Sequence, residues 1–270
     1  LPGPGGNGNS VDVLGWNLST LTITPTNDDD SDFTLNIAVE TTETDGGGTN
    51  TTNDTLDVTV VAVADAPTIG LTPGSGDEDT SISFQIDPQL TDEADGSESL
   101  QVWIRDIPVG ATITDNDGES FTAAVGNTLT DVTDRTWTTL SITPPLHVGD
   151  DIDLTIRAIS SETRDGDTNT VDETLTIAVT PVVDTPTIVT AGDVTGNEDE
   201  RITLDLETTL VDQDLSEILT QELRDLPENA QLRDGGSNTA TVDGSGTVDI
   251  SGWDLSTLEI LAPLHSDDDI

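Results

Sequence analysis

The chain has 270 residues, with Lys+Arg 7 against Asp+Glu 54 and a formal net charge of -47. All seven cations are Arg, so the chain lacks the basic surface that neutralises nucleic-acid phosphates and is repelled by an anionic leaflet. Cys is absent, which excludes disulfides, thiolate metal sites and Cys nucleophiles, and no run approaches 18 apolar residues, so no membrane insertion is expected.

High charge with 3% aromatics also marks chains too polar to fold. The spacing of the apolar residues argues the opposite. In chain order, the opening Gly3-Pro-Gly-Gly-Asn-Gly8 satisfies G-x-G-x-x-G. A strand is predicted after it at 11–14, where a dinucleotide site needs a helix, so it reads as a flexible turn. Trp16 precedes a Leu-x-Ile strand at 21–23, as Trp137 and Trp253 precede those at 140–142 and 258–260. Strands follow at 33–40 and 55–64, the second with Leu56, Val58 and Val60 alternating. Alternation returns at 81–86, at 100–105, at Leu154, Ile156 and Ala158, at Leu175, Ile177 and Val179, and at 202–206. Period two over short runs rich in Thr and Val, divided by Gly, Asp, Asn and Pro, predicts half-buried antiparallel strands. The expected fold is all-β, with Ile82, Phe84, Ile86, Leu154 and Ile156 facing inward.

Self-similarity organises the rest. Asp65-Ala-Pro67-Thr-Ile69 recurs 119 positions later as Asp184-Thr-Pro186-Thr-Ile188. Asp95-Gly-Ser-Glu98-Ser-Leu100 recurs as Asp214-Leu-Ser-Glu217-Ile-Leu219, and Arg105-Asp-Ile-Pro108 as Arg224-Asp-Leu-Pro227, at the same offset. Glu78-Asp79 recurs as Glu198-Asp199, and Glu43 as Glu162. These matches predict tandem immunoglobulin-like or cadherin-like sandwiches of about 119 residues: one complete repeat at 67–184, the C-terminal part of another at 1–66 and the N-terminal part of a third at 185–270. The start at Leu1 and the two partial repeats predict flanking sequence in a longer protein. Asp-x-Pro is the natural boundary, because Pro fixes φ and cannot extend a central sheet.

The string Glu78-Asp79-Thr … Leu90 … Asp92 … Asp95-Gly-Ser-Glu98-Ser-Leu100 … Ile107-Pro108 resembles the extender repeats of giant repeats-in-toxin (RTX) adhesins, secreted through the type I system. The Asp-x-Pro-Thr-Ile junction is similar to those of tandem bacterial immunoglobulin-like or cadherin-like repeats. The resemblance implies an extracellular or cell-surface location and a role in adhesion and biofilm formation. It also implies calcium at the junctions between neighbouring repeats of the chain. On that resemblance the first junction draws on Glu43, Asp65, Glu78, Asp79, Asp92, Asp95 and Glu98. The second draws on Glu162, Asp184, Glu198, Asp199, Asp212, Asp214 and Glu217. Carboxylates suit the purpose, since Ca²⁺ takes six to eight hard oxygen ligands.

Other motifs read more plainly. The acidic runs 27–32 and 266–269 read as hydrated loops. Asp165, Asp167 and Asn169 open like an EF-hand loop, but Thr170 and Thr176 stand where Gly and Glu are needed. His147 and His265 share a Pro-Leu-His context and read as loop residues. The other Trp residues read as anchors; for Trp103, whose equivalent is Glu222, an exposed ring able to stack on a sugar is the lesser of two readings. The leading function is therefore a non-enzymatic, calcium-stiffened extender. The alternative is a module binding glycan, protein or other surface or matrix components, and a glycosidase with paired carboxylates ranks third.

Overall fold

The computed structural model describes residues 10–92, 96–212 and 216–264. The turn at Gly3–Gly8, His265 and the run 266–269 lie outside them. The described chain is all-β. Its only helical pieces are the 3₁₀ turns Leu18–Thr20 and Leu255–Thr257, so no helix is long and apolar enough to cross a membrane. It forms two compact units, one of Leu1–Gly70, Pro88–Trp103 and Arg157–Glu173, the other of Leu71–Asp87, Ile104–Ile156 and Thr174–Ile270.

In the first unit, Phe33–Thr42 and Thr49–Val58 form a ten-pair antiparallel hairpin, from Phe33 opposite Val58 to Thr42 opposite Thr49. The segment 11–14, predicted as a strand, is a turn instead: Asp12 Oδ1 accepts the Leu14 N–H and Val13 O accepts that of Trp16. Residues 21–23 are likewise not a strand, and Leu21 and Ile23 are about half exposed. Their counterparts at 140–142 and 258–260 are each flanked by two strands that supply ladder bonds. Residues 21–23 have no such neighbours among the described residues.

Two sheets built from residues 75–180 have an immunoglobulin-like topology. One has the order Thr130–Asp131, Glu98–Arg105, Ile152–Glu162, Thr168–Thr180, Ser75–Asp77, with the last pair parallel. The other runs Ile82–Ser83, Ser141–Thr143, Thr112–Thr114, Ser120–Thr122. Within the second unit, Ile104, Leu154, Ile156, Leu175 and Ile177 from the first sheet are buried, as are Ile82, Ile113 and Ile142 from the second. Phe84 and Ile86 are buried too, so the inward set expected from the alternation is found inside. Each such side chain contributes about 1.5–3 kcal/mol of burial.

The same unit holds a second sheet of the latter kind, in the order Arg201–Thr203, Glu259–Leu261, Gln231–Arg233, Thr239–Thr241. Ile202 lies opposite Ile260, Ile260 opposite Leu232 and Leu232 opposite Ala240. Ile82, Ile142, Ile113 and Phe121 hold the corresponding places, 118 to 120 positions earlier. Glycine recurs as well: a Cβ on Gly76 would meet Ile82 at 2.9 Å, and one on Gly196 would meet Ile202 at 2.4 Å. The β-branched residue that seeds each sheet needs a bare backbone against it.

Candidate functional site

Two linkers concentrate the chemistry, each inside one unit. In the first, no ladder holds residues 59–64, so the predicted strand 55–64 ends at Val58. Carboxylates take over the backbone donors beyond it. Val60 N–H donates to Asp32 Oδ1 at 2.9 Å, Ala62 N–H to Asp165 Oδ2 at 3.3 Å and Ala64 N–H to Asp167 Oδ2 at 3.1 Å. Asn169 Nδ2 donates to Ala64 O at 3.2 Å. Asp165, Asp167 and Asn169, the failed EF-hand opening, thus staple a linker. Arg164 adds bonds to Asp32 Oδ2 at 2.6 Å and Asp30 O at 2.7 Å. The Val60 N–H first, and then Arg164, hold the Asp32 carboxyl below its ordinary value.

Beside this linker three carboxylates converge. One oxygen each from Asp28, Asp65 and Asp92 lie within 4.8 Å of one another. They line a cleft of about 300 Å³ together with Ser97, Glu162 and residues of 24–30 and 60–63. Asp92, Glu98 and Glu162 are buried, and Glu98 Oε1 accepts the Asp65 N–H at 2.7 Å. Glu98 Oε2 is buried and has no hydrogen-bond partner. Burial pushes the Glu98 carboxyl above its ordinary value; the Asp65 N–H opposes this, while the charges of Glu162, Asp92 and Asp65 reinforce it. Leaving a charged acceptor unsatisfied in such a place costs roughly 1–3 kcal/mol or more. The donor set is hard oxygen, and it fits a hard divalent cation.

The second linker repeats part of the plan. Asp184 and Glu217 stand 119 positions after Asp65 and Glu98, and Glu217 Oε1 likewise accepts the Asp184 N–H. Val182 N–H donates to Glu78 Oε1 at 2.6 Å; Glu78 is 3% exposed, and its Oε2 meets no hydrogen-bond partner. Asp79, His147 and Asp184 converge here. His147 Nδ1 lies 3.2 Å from Asp79 Oδ2 and 2.7 Å from Asp184 Oδ2, and the His147 backbone N–H donates to Asp79 Oδ1 at 2.8 Å. Position 147 is 119 beyond Asp28, and both residues have φ 56°. An imidazole therefore occupies the second linker where a carboxylate occupies the first.

The grouping differs from the one read off the sequence. Asp65, Asp92 and Glu98 lie together at the first linker, and Glu162 joins them there instead of lying at the second. Glu78 and Asp79 stand at the second linker, with Asp184 and Glu217. The reason is geometric: Ile152–Glu162 has eleven residues, and at about 3.3 Å per residue a strand carries its last carboxylate far from where it began. Glu43 is exposed on the hairpin loop, its N–H bonded to Gly48 O at 2.8 Å. Glu198 and Asp199 are exposed. Asp212 is buried and accepts the Ser216 hydroxyl at 3.1 Å. Asp95 and Asp214 lie outside the described residues.

Asp28 and His147 escaped the sequence reading as site residues, although the 119-residue offset relates them. So did Asp115 and Asp234, a buried pair at that offset. Each accepts two backbone N–H groups on Oδ1, from Asp117 and Glu119 or from Gly236 and Asn238, and so folds its own loop. Among the tryptophans, the Trp137 indole N–H donates to Val132 O at 2.8 Å and Trp253 packs on the second core. Trp16, expected to anchor, is 45% exposed, while Trp103 is half-buried.

No family model matches the chain, and no curated protein matches it. Among solved structures it is similar to the D00-D0 domain of Intimin, with 15% identity over 73% of this chain and 85% of that one. The TM-score is 0.24.

Proposed function

We propose that the chain is a non-enzymatic extender. On this reading, tandem sandwiches of a large bacterial surface adhesin or filament, exported as the RTX resemblance implies, are stiffened where one repeat meets the next. The observation that carries this reading is the Glu98 carboxylate, buried with one oxygen unpartnered among the carboxylates of Asp65, Asp92 and Glu162, the first two of which converge with Asp28. Such a group calls for a cation at the linker itself. Calcium would be held there by Asp28, Asp65, Asp92 and Glu98, with Glu162 adjoining. It supplies charge neutralisation and a rigid oxygen cage, no bond-making chemistry. Extracellular modules bind calcium with Kd on the order of 10⁻⁴–10⁻³ M. That range suits a protein that stiffens on leaving a calcium-poor cytosol.

Small-angle scattering on the full chain tests the reading, comparing native protein with Asp65→Ala in calcium and in EGTA. Native protein is expected to lengthen with calcium and the variant to stay unchanged. Equal maximum dimensions for both proteins in both buffers would remove calcium stiffening from the mechanism.

A further inference from the structure

The second linker is not a copy of the first, and the difference lies in ligand chemistry. From Asp79, His147 and Asp184 we infer a site for a borderline divalent cation of the zinc class, distinct in preference from the all-oxygen site at Asp28, Asp65 and Asp92. The inference concerns the second linker alone and does not depend on calcium at the first.

Three observations carry it. First, the fold delivers an imidazole nitrogen between two carboxylates, with Nδ1 at 3.2 and 2.7 Å from the nearer oxygens. Ligands on a tetrahedral ion with bonds of about 2.0–2.1 Å stand about 3.3 Å apart, so sub-ångström spreading seats one. Second, His147 Nδ1 and Asp184 Oδ2 are both buried, and neither is engaged in a hydrogen bond despite their approach. Two ligand atoms set this close without hydrogen-bond geometry between them suit a shared cation. Third, Glu78 sits beside Asp79 in the chain and is 3% exposed, with Oε2 unpartnered, so further negative charge is buried at the same linker.

The choice of ion follows from ligand softness. Imidazole suits zinc, copper, nickel and iron, whereas calcium seldom gains from a nitrogen donor and prefers oxygen throughout. At the first linker the equivalent position is Asp28, so that site keeps calcium chemistry. At the second, one carboxylate is exchanged for an imidazole while Asp65 and Glu98 find matching partners in Asp184 and Glu217. The backbone supports the exchange: Asp79 holds the His147 N–H at 2.8 Å, which fixes the loop that presents the ring. The competing occupant is a proton, an imidazolium lying between the two carboxylates.

The test uses the full chain with His265→Gln, which leaves His147 as the sole imidazole. Zinc is titrated in millimolar calcium, which fills hard oxygen sites, and the His147 ring signals are followed by NMR while calorimetry gives stoichiometry. One zinc per chain is expected, with the ring signals shifting in step. His147→Asn, an exchange suited to the positive φ, should weaken zinc about tenfold or more, and Asp184→Asn should do likewise. Neither variant should alter calcium binding at the first linker, which Asp65→Ala reports separately. Ring signals that do not move, or zinc bound equally by native protein and His147→Asn, would overturn the site and leave the imidazolium pair in its place. Loss of calcium binding with zinc binding intact would count against the first linker only.

Discussion

The two linkers share a scaffold and differ in the side chains around its aspartate, Asp28 and Asp92 beside Asp65 in the first and His147 and Asp79 beside Asp184 in the second. Asp65 and Asp184 each donate their N–H to a glutamate 33 residues on, Glu98 or Glu217. Both glutamates keep a second oxygen without a partner. At the position that completes each cluster, the first linker has Asp28 and the second His147, in the same left-handed backbone conformation. On the reading proposed above, the exchange of Asp28 for His147 is what sets the cation preference of the two linkers apart. The surroundings differ too: the first linker is also stapled by Asp32, Asp165 and Asp167 onto its own amides.

Glu98→Gln should have the largest effect and reverse sign with the buffer. A raised carboxyl pKa means the native state holds its proton more tightly than the unfolded chain. Its contribution is therefore favourable at low pH and is lost as pH rises through the folded value. Removing the charge should stabilise the chain in EGTA at neutral pH and destabilise it in calcium. The swing between buffers should be about 2–3 kcal/mol, read by denaturant unfolding. A change of the same sign in both buffers would show that no cation answers Glu98.

Exchanging the variable residue should transfer the preference. His147→Asp is expected to add one calcium to the stoichiometry, and Asp28→His to weaken calcium at the first linker about tenfold, roughly 1.4 kcal/mol. Calorimetric titration reads both. If neither exchange changes calcium binding, the position does not select the ion.

Smaller effects separate the staples from the cation. Asp167→Ala should free the Ala64 amide and cost about 1 kcal/mol in calcium and EGTA alike, with calcium affinity unchanged. A calcium-dependent loss would place Asp167 in the cation site. Smallest is the contribution of Asp234, which belongs to neither linker. The Asp254 N–H first, and then the Asn238 side chain, hold its carboxyl below the ordinary value. Its stabilisation is present above the unfolded pKa and fades as pH falls through the lower folded one. Asp234→Asn should flatten that part of the acid-unfolding curve, and an unchanged curve would deny it the role.

Much of this was legible in the sequence, for physical reasons that also mark its limits. Period-two alternation exposed Ile82, Phe84, Ile86, Leu154 and Ile156 as core, because burial on one face of a strand leaves that imprint. The 119-residue offset related Asp65 to Asp184 and Glu98 to Glu217, pairs that make the same bond. It did not reveal which end of the sandwich a carboxylate reaches. Glu162 arrives at the first linker only because a long strand takes it there, and Glu78 reaches Val182 through the fold. Residues 21–23 carry the strand pattern without the strand, since a ladder needs neighbours as well as alternation. Asp28 carries no such mark, because a run of acids looks the same whether it faces solvent or another carboxylate.

Amide hydrogen exchange at Asp65 and Asp184, in one sample, tests the central claim most directly. Each amide donates to the glutamate of its own linker, so each reports whether that glutamate is held. Calcium is expected to slow exchange at Asp65 about tenfold and to leave Asp184 nearly unchanged, whereas zinc added in calcium should slow Asp184. Exchange at Asp65 that is identical in calcium and EGTA would contradict the account.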